Sequence, residues 1–235
     1  MKNFINIAIS CLAMMVPAWA ASGDAEQARV KAAGNVLKEI LEAPDKGIPG
    51  SVLDGSKCVI VIPEMKKAGF IVGASYGRGV MTCRTGEDFK GPWSGPIMMA
   101  SESGSVGLQI GAQGTDFVIL VLNDGGARAV MKSKVKLGAD ASIAAGPVGR
   151  TSEASTTGNM KAQMLSYSRS RGVFGGVSLS GASLRVDGDA NKNLYGEKVS
   201  TEQIMGGQVQ TPDVAKPMIE NLTTATQKAG GERKQ

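Results

Sequence analysis

The sequence predicts an α+β domain, predominantly an antiparallel β barrel or sandwich with an N-terminal amphipathic helix and short peripheral helices. Many short β-rich runs are broken by turn residues at close spacing, which favours antiparallel sheets over alternating βαβ units. One long stretch near the N-terminus instead has helical spacing. Glycine, at 32 of 235 residues, is roughly twice its average usage of about 7%, while the apolar content of 42% is ordinary. The chain is therefore a glycine-rich folded protein.

Residues 24–43 are predicted to form the amphipathic helix. Ser22 or Asp24 is suited to cap its start, and Pro44 ends it. Its polar side carries both basic and acidic residues, so the helix has no net basic character. Its apolar residues recur near every 3.6 positions: Ala25, Ala28, Val30, Ala33, Leu37, Ile40 and Leu41.

Short strands are predicted through the middle of the chain, where Val, Ile and Phe cluster between glycines. We expect Phe70, Phe117 and Phe174 on these strands to face the core. The predicted runs are residues 58–62, 69–73, 79–83, 97–100, 105–112, 116–122, 134–137, 141–144, 164–168 and 173–186.

Four short helices are predicted at residues 124–132, 189–195, 201–205 and 213–227. With them the chain divides into one domain over residues 21–211 and a helical or flexible C-terminal tail over residues 212–235.

Residues 1–20 are predicted to be a signal peptide. Lys2 precedes an apolar run over residues 4–16, and Ala18 and Ala20 supply the small residues that signal peptidase requires, so we expect cleavage after Ala20. The run is too short to span a membrane, and the residues before Cys11 form a poor lipidation motif. The expected location is the periplasm or the cell envelope.

The residue types present exclude several kinds of chemistry. The chain has no histidine, so catalytic triads, histidine-ligated zinc and histidine pH switches are excluded. The acidic stretch from Asp187 lacks the glycine and glutamate of a calcium loop, having Lys192 and Lys198 instead. The glycines over residues 73–79 lack the Gly-Lys-Ser/Thr of a phosphate loop and are explained by strand turns. We expect no enzyme activity, no metal, no cofactor and no nucleic acid partner.

Cys58 and Cys83 are the cysteines that remain after the predicted cleavage. They lie near opposite ends of one predicted meander, and an exported protein meets an oxidising compartment. A disulfide between them is expected; the alternative is two buried reduced thiols.

Basic residues alternate along two predicted strands, as Lys134 with Lys136 and Arg169 with Arg171. Alternate residues of a strand share one face, so each pair is placed to hold phosphate-bearing headgroups. The alternative is that these residues blunt a sheet edge. Three further candidates are Lys66, Lys67 and Arg29.

The net charge of +5 is small, so we also expect an apolar contribution to lipid binding. Its predicted source is the N-terminal helix face that contains Val36, Leu37, Ile40 and Leu41, or a pocket for an acyl chain.

Several motifs together resemble the SYLF domain family, over roughly residues 25–206. They are Lys67-Ala68-Gly69-Phe70, Gly91-Pro92-Trp93-Ser94-Gly95-Pro96, Gly107-Leu108-Gln109-Ile110-Gly111-Ala112, the segment from Leu137 to Arg150, the segment from Tyr167 to Leu179, and Asp189-Ala190-Asn191 leading to Tyr195-Gly196.

This resemblance implies a lipid-binding module. Eukaryotic members are similar proteins that bind phosphoinositides and, in some cases, actin filaments. An exported member would instead bind anionic phospholipid, a phosphoinositide-like lipid or another phosphate-bearing envelope component at a membrane surface. The alternative function is a structural or assembly protein that binds an envelope protein through a sheet edge.

Overall fold

The fold is α+β, with one curled sheet and helices packed on it. The computed structural model describes residues 20–43, 47–69, 72–106, 114–132, 134–148, 161–170 and 173–232. The helices are α1 (Ala20–Glu42), α2 (Gly50–Gly55), α3 (Asp124–Val130), α4 (Gly188–Tyr195), α5 (Thr201–Met205) and α6 (Lys216–Glu232), with a 3-10 turn at Asp213–Ala215.

The described strands form a single half-barrel sheet. They are β1 (Cys58–Gly69), β2 (Val72–Cys83), β3 (Ile97–Val106), β4 (Thr115–Val121), β5 (Val135–Lys136), β6 (Ile143–Ala145), β7 (Met164–Ser170), β8 (Val173–Gly176) and β9 (Ser183–Val186). The strand order is β5-β9-β3-β2-β1-β4-β7-β6, and β8 also pairs with β7. All pairs are antiparallel except β6 with β7. The predicted α+β, predominantly antiparallel class is confirmed.

Both faces of the sheet are buried over the apolar halves of its central strands, because alternate residues there enter two separate cores. On one face, Val59, Val61 and Val80 pack with α1, α2 and α6. On the other face, Ile60 and Met81 pack with α3 and α5. We call the first the α1 face. Since the first part of β1 is covered on both sides, residues 58–62 form a continuous apolar run instead of an alternating one.

Side-chain caps fix the starts of the short helices. Asn123 accepts a hydrogen bond from the third residue of its helix, α3, at 2.9 Å, and Asp187 does the same for α4 at 3.2 Å. Ser200 and Gln203 form a reciprocal capping box at α5. The stretch from Asp187 is thus a turn followed by a helix, as its sequence indicated.

A bulge bends β1 between Val61 and Lys66, where its register with β2 shifts. Glu64 lies in this bulge with a φ of 47°. Gly79 of β2 passes so close that a Cβ there would lie 2.2 Å from the Val61 carbonyl oxygen. The glycines at 77 and 79 therefore lie within a strand and permit close approach, not the strand turns that we expected.

The C-terminal segment is helical and packed. Met218 and Leu222 of α6 are buried in the core of the α1 face. A Cβ on Gly34 of α1 would contact Met218 at 3.4 Å, and one on Gly50 of α2 would contact Ala229 at 3.1 Å. Helix α6 therefore completes the helical layer together with α1 and α2.

Two of the three phenylalanines expected in the core are there, since Phe117 is 3% exposed and Phe174 is 8% exposed. Phe70, residues 1–19 of the predicted signal peptide and most of the predicted 105–112 strand lie outside the described residues.

The structure places Cys58 directly opposite Cys83 across β1 and β2, with their Cα atoms 3.9 Å apart and their sulfur atoms at bonding distance. A bond here closes a loop of 25 residues and contributes about 3 kcal/mol in the chain-entropy description. We expect thiol titration of the denatured, unreduced mature chain to find no free thiol. Two free thiols per chain would contradict the predicted disulfide.

Candidate functional site

Five strands bring together a row of side chains on the α1 face, which we call the cross-strand row. Directly opposite residues of paired strands share a face. The register therefore aligns Lys136 of β5, Ser183 of β9, Glu102 of β3, Tyr76 of β2 and Lys66 of β1. Four strand spacings separate the two lysines, a span of about 19 Å.

The cross-strand row is open to solvent and basic. Lys66 and Lys136 are exposed, and Tyr76 is 46% exposed, one of the few large apolar side chains so open in the described part of the chain. Glu102 lies 4.0 Å from Lys134 and 3.4 Å from Arg185. Such exposed ion pairs contribute little stability, so these cations stay available to an outside ligand.

Beside the row, a groove of about 410 Å³ separates α1 from the sheet. Arginines and carboxylates from both sides reach into it. Its lining includes Arg29, Glu39, Glu64, Arg78, Asp116 and Arg169.

Arg78 joins α1 and α4 at one end of the groove. Its Nε and Nη2 donate to Asp187 at 3.2 and 2.9 Å. Its Nη1 lies 3.9 Å from Glu26, a buried α1 carboxylate that also pairs with Arg29. Burial lowers the pKa of Arg78, but its attraction to Asp187 and hydrogen bond with Asp187 outweigh burial, so this pKa is raised.

Arg169 joins α1, β4 and β7 at the other end. It donates to Asp116 at 2.6 Å and pairs with Glu39 of α1. Asp116 in turn accepts a hydrogen bond from the Glu64 amide at 2.9 Å, which holds the β1 bulge. Burial raises the pKa of Asp116 and lowers the pKa of Arg169, because each charged form loses hydration.

The residues proposed from sequence for lipid binding fall into two groups. Lys66, Lys134 and Lys136 lie at the cross-strand row, whereas Arg29 and Arg169 line the groove and are ion-paired. Arg171 and the side chain of Lys67 lie outside the described residues. Lys136 of β5 and Arg169 of β7 do not lie side by side, since these strands are far apart in the strand order.

Three of the four α1 residues expected to make an apolar contribution to lipid binding are buried in this structure, whereas Leu41 is partly exposed. Val36, Leu37 and Ile40 are at most 3% exposed and pack against the sheet. The groove does not replace them, because charged side chains reach into it from both sides. Tyr76 is the exposed aromatic residue on this face that remains for an interfacial contact.

Sequence reasoning missed Tyr76, Arg78 and Arg185. Tyr76, Arg78 and Val80 alternate along one strand, a signal that they share a face. The carboxylates that pair with Arg78 and Arg185 come from distant segments of the chain, and no local sequence pattern identifies them.

A sequence model described as "Las17-binding protein actin regulator", of the Ysc84 family, matches residues 102–225, more than half of the chain. The chain belongs to the Ysc84 (SYLF) family. The resemblance stated from the motifs is confirmed.

Curated relatives extend the similarity to most of the chain. An SH3 domain-containing protein of Schizosaccharomyces pombe is 34% identical over 203 residues, 83% of this chain and 46% of the relative. Protein YSC84 of Saccharomyces cerevisiae is 31% identical over 205 residues, 83% and 43% of the two chains. The human SH3 domain-containing YSC84-like protein 1 is 31% identical over 212 residues, 88% and 61%.

The matched part of this Ysc84-family chain thus spans about half the length of these relatives. No solved structure matches it. Within the described residues, no helix has the length and apolar character needed to cross a membrane, and no acidic or cysteine group there is arranged to hold a metal ion.

Proposed function

We propose that this Ysc84-family chain is a non-enzymatic protein that binds anionic phospholipids, or other phosphate-bearing envelope lipids, at a membrane surface. The observation that carries the proposal is the cross-strand row, which aligns exposed Lys66, Tyr76 and Lys136 with partly exposed Ser183 and Glu102 across five strands. We further propose that residues 1–20 direct export to the periplasm or cell envelope.

The charges of the row suit a weak contact with a broad surface. Lys66 and Lys136 in the row and Lys134 and Arg185 beside it outnumber two carboxylates, Glu102 of the row and Asp140, which accepts a hydrogen bond from the Lys136 amide. Each cation near an anionic membrane contributes about 1 kcal/mol, so together they supply up to about 4 kcal/mol, comparable to a millimolar dissociation constant. Tyr76 adds an amphipathic ring of the kind that favours the membrane interface. Avidity from several chains on one membrane would strengthen this contact.

The structure changes which residues should be tested. Arg169 is bound to Asp116 and Glu39, so replacing it perturbs the fold as well as any lipid contact. Lys66, Lys134 and Lys136 are exposed and hold no buried carboxylate. A triple change of these lysines to glutamine isolates the electrostatic contribution.

We expect the Lys66/Lys134/Lys136→Gln variant to bind phosphatidylglycerol-containing vesicles at least tenfold more weakly, measured by co-sedimentation at low salt. Binding to pure phosphatidylcholine vesicles should stay unchanged, and the salt dependence should flatten.

The matched control is Lys90/Lys216/Lys228→Gln, which removes the same charge from exposed positions outside the row. We expect this control to bind nearly like the parent. Equal losses in the two triple variants would show that overall charge, not the row, determines binding, and no loss in either would reject the row as the lipid site.

The alternative is an envelope protein partner that adds a strand to a sheet edge. The family description names a protein that binds Las17, which favours protein binding in relatives. Here the edge strands are short: β5 has two residues and β6 has three. They offer few backbone groups for pairing with an added strand. Vesicle binding that depends on the row, without any added protein, would favour the lipid proposal.

A further inference from the structure

The groove beside the cross-strand row contains unused charged groups of both signs. Two nitrogens of Arg78 are bound to Asp187, but its Nη1 lies 3.9 Å from Glu26, beyond hydrogen-bond distance. The side chain is 36% exposed. Within the described residues, Nη1 therefore keeps its N–H groups available to a ligand anion. Arg29 provides a second guanidinium in the same lining.

Glu64 supplies the negative end of the groove. It lies in the β1 bulge with an exposed side chain, and its amide, not its carboxylate, bonds to Asp116. The Glu64 carboxylate pairs with no lysine or arginine among the described residues. Burial is the main cause of the raised pKa of Asp116, and the hydrogen bond from the Glu64 amide opposes it. The negative charge of Glu64 also raises this pKa. A ligand cation would relieve this repulsion between carboxylates.

The register places the two ends close together. Val61 pairs with Val80 and Lys66 pairs with Tyr76, so Arg78 lies opposite the bulge that contains Glu64. Neighbouring strands are about 4.8 Å apart. Both side chains line the same groove, so a ligand that reaches both must carry an anion and a cation within the length of that groove.

We propose that the groove binds a phosphate group that carries a primary ammonium on a short spacer, the chemistry of phosphoethanolamine. Guanidinium groups of Arg78 and Arg29 donate to the phosphate oxygens, a pairing that arginine geometry favours. The Glu64 carboxylate accepts hydrogen bonds from the ammonium. The groove volume of about 410 Å³ lies within the usual range for small-ligand sites.

This inference concerns a different site from the proposed function. The cross-strand row responds to the charge of a surface, whereas the groove would distinguish one headgroup from another. Phosphoethanolamine chemistry reaches the groove either from a phospholipid headgroup or from a free phosphate ester.

The test is titration of O-phosphoethanolamine into the full mature chain, followed by NMR chemical-shift changes or calorimetry. We expect saturable binding that Glu64→Gln weakens at least fivefold, while the weaker binding of inorganic phosphate does not fall, because the lost carboxylate repels an anion. Glu64→Gln removes the charge without removing an ion pair, so this variant should fold. Glu87→Gln, at an exposed carboxylate in the turn after β2, is the matched control and should bind like the parent.

Arg78→Lys should weaken both O-phosphoethanolamine and phosphate, because lysine cannot replace the two-nitrogen contact to Asp187 and still present a donor to the groove. Equal affinity for phosphate and O-phosphoethanolamine would overturn the proposal, as would unchanged binding in Glu64→Gln. Binding of glycine as tightly as O-phosphoethanolamine would also overturn it, since the groove would then not recognise phosphate.

Vesicles distinguish the two sources. Glu64-dependent binding to phosphatidylethanolamine vesicles supports a lipid headgroup, and Glu64-dependent binding of the soluble ester alone supports a free ligand. The Lys66/Lys134/Lys136→Gln variant should keep its affinity for O-phosphoethanolamine. Vesicle binding by the triple lysine variant thus tests the row, and titration with O-phosphoethanolamine tests the groove, so each proposal can be rejected without the other.

Discussion

Replacing Phe174 with alanine is expected to lower the free energy of unfolding by about 3 to 5 kcal/mol. The side chain is 8% exposed and belongs to the core that α1 covers. Its ring also lies 5.7 Å from the Arg169 guanidinium. Truncation therefore removes apolar burial, leaves a cavity and ends a cation–π contact. Urea denaturation monitored by circular dichroism measures the change.

The neighbouring Val173 provides the control, because it belongs to the same strand but is 55% exposed. Val173→Ala should change stability by no more than about 0.5 kcal/mol. A loss below about 1 kcal/mol for Phe174→Ala would mean that this strand does not bury its aromatic side chain in solution.

The helices could largely be predicted because their signals are local. The spacing of Val30, Leu37 and Ile40 predicts α1, and helices predicted at residues 124–132 and 201–205 correspond to α3 and α5. Helix α2 was missed, since Gly50–Gly55 begins and ends with glycine and contains only two buried apolar residues. Its stability comes from packing against α6, which sequence spacing does not reveal.

The strands were located but their extents were not. The first predicted run, residues 58–62, stops before Pro63, since proline donates no ladder hydrogen bond. In the structure β1 continues to Gly69 through a bulge at this point. The bulge is held by Asp116, 52 residues away from Glu64, so the continuation depends on a tertiary contact.

The same reason limits prediction of the site. Alternation showed that Lys134 and Lys136 share a face, but not that the row reaches Lys66 across three intervening strands. Arg78 and Asp187 are 109 residues apart, and only strand pairing brings them together. Site residues that are close in sequence could be predicted to lie together. Those brought together only by pairing between distant strands could not, whatever their residue type.

Arg169 connects the helical layer to the sheet, and this explains why it is not a free lipid-binding cation. It is 19% exposed, bonds to Asp116 at 2.6 Å and pairs with Glu39 of α1. Asp116 is itself only 9% exposed. Removing Arg169 would leave a nearly buried carboxylate without its guanidinium partner, which is costly even where the intact pair adds little net stability.

We therefore expect Arg169→Met, which keeps the length of the side chain, to destabilise the fold by about 3 kcal/mol. Hydrogen exchange should show a larger loss of protection in α1 than in α3, which packs on the other face. Lys38→Met is the control, because Lys38 and Glu42 form an exposed pair at 3.9 Å on the same helix, worth about 0.3 to 0.5 kcal/mol. If Arg169→Met lowers the free energy of unfolding no more than Lys38→Met does, Arg169 does not anchor α1. Its ion pairs with Asp116 and Glu39 would then contribute no more than exposed pairs do.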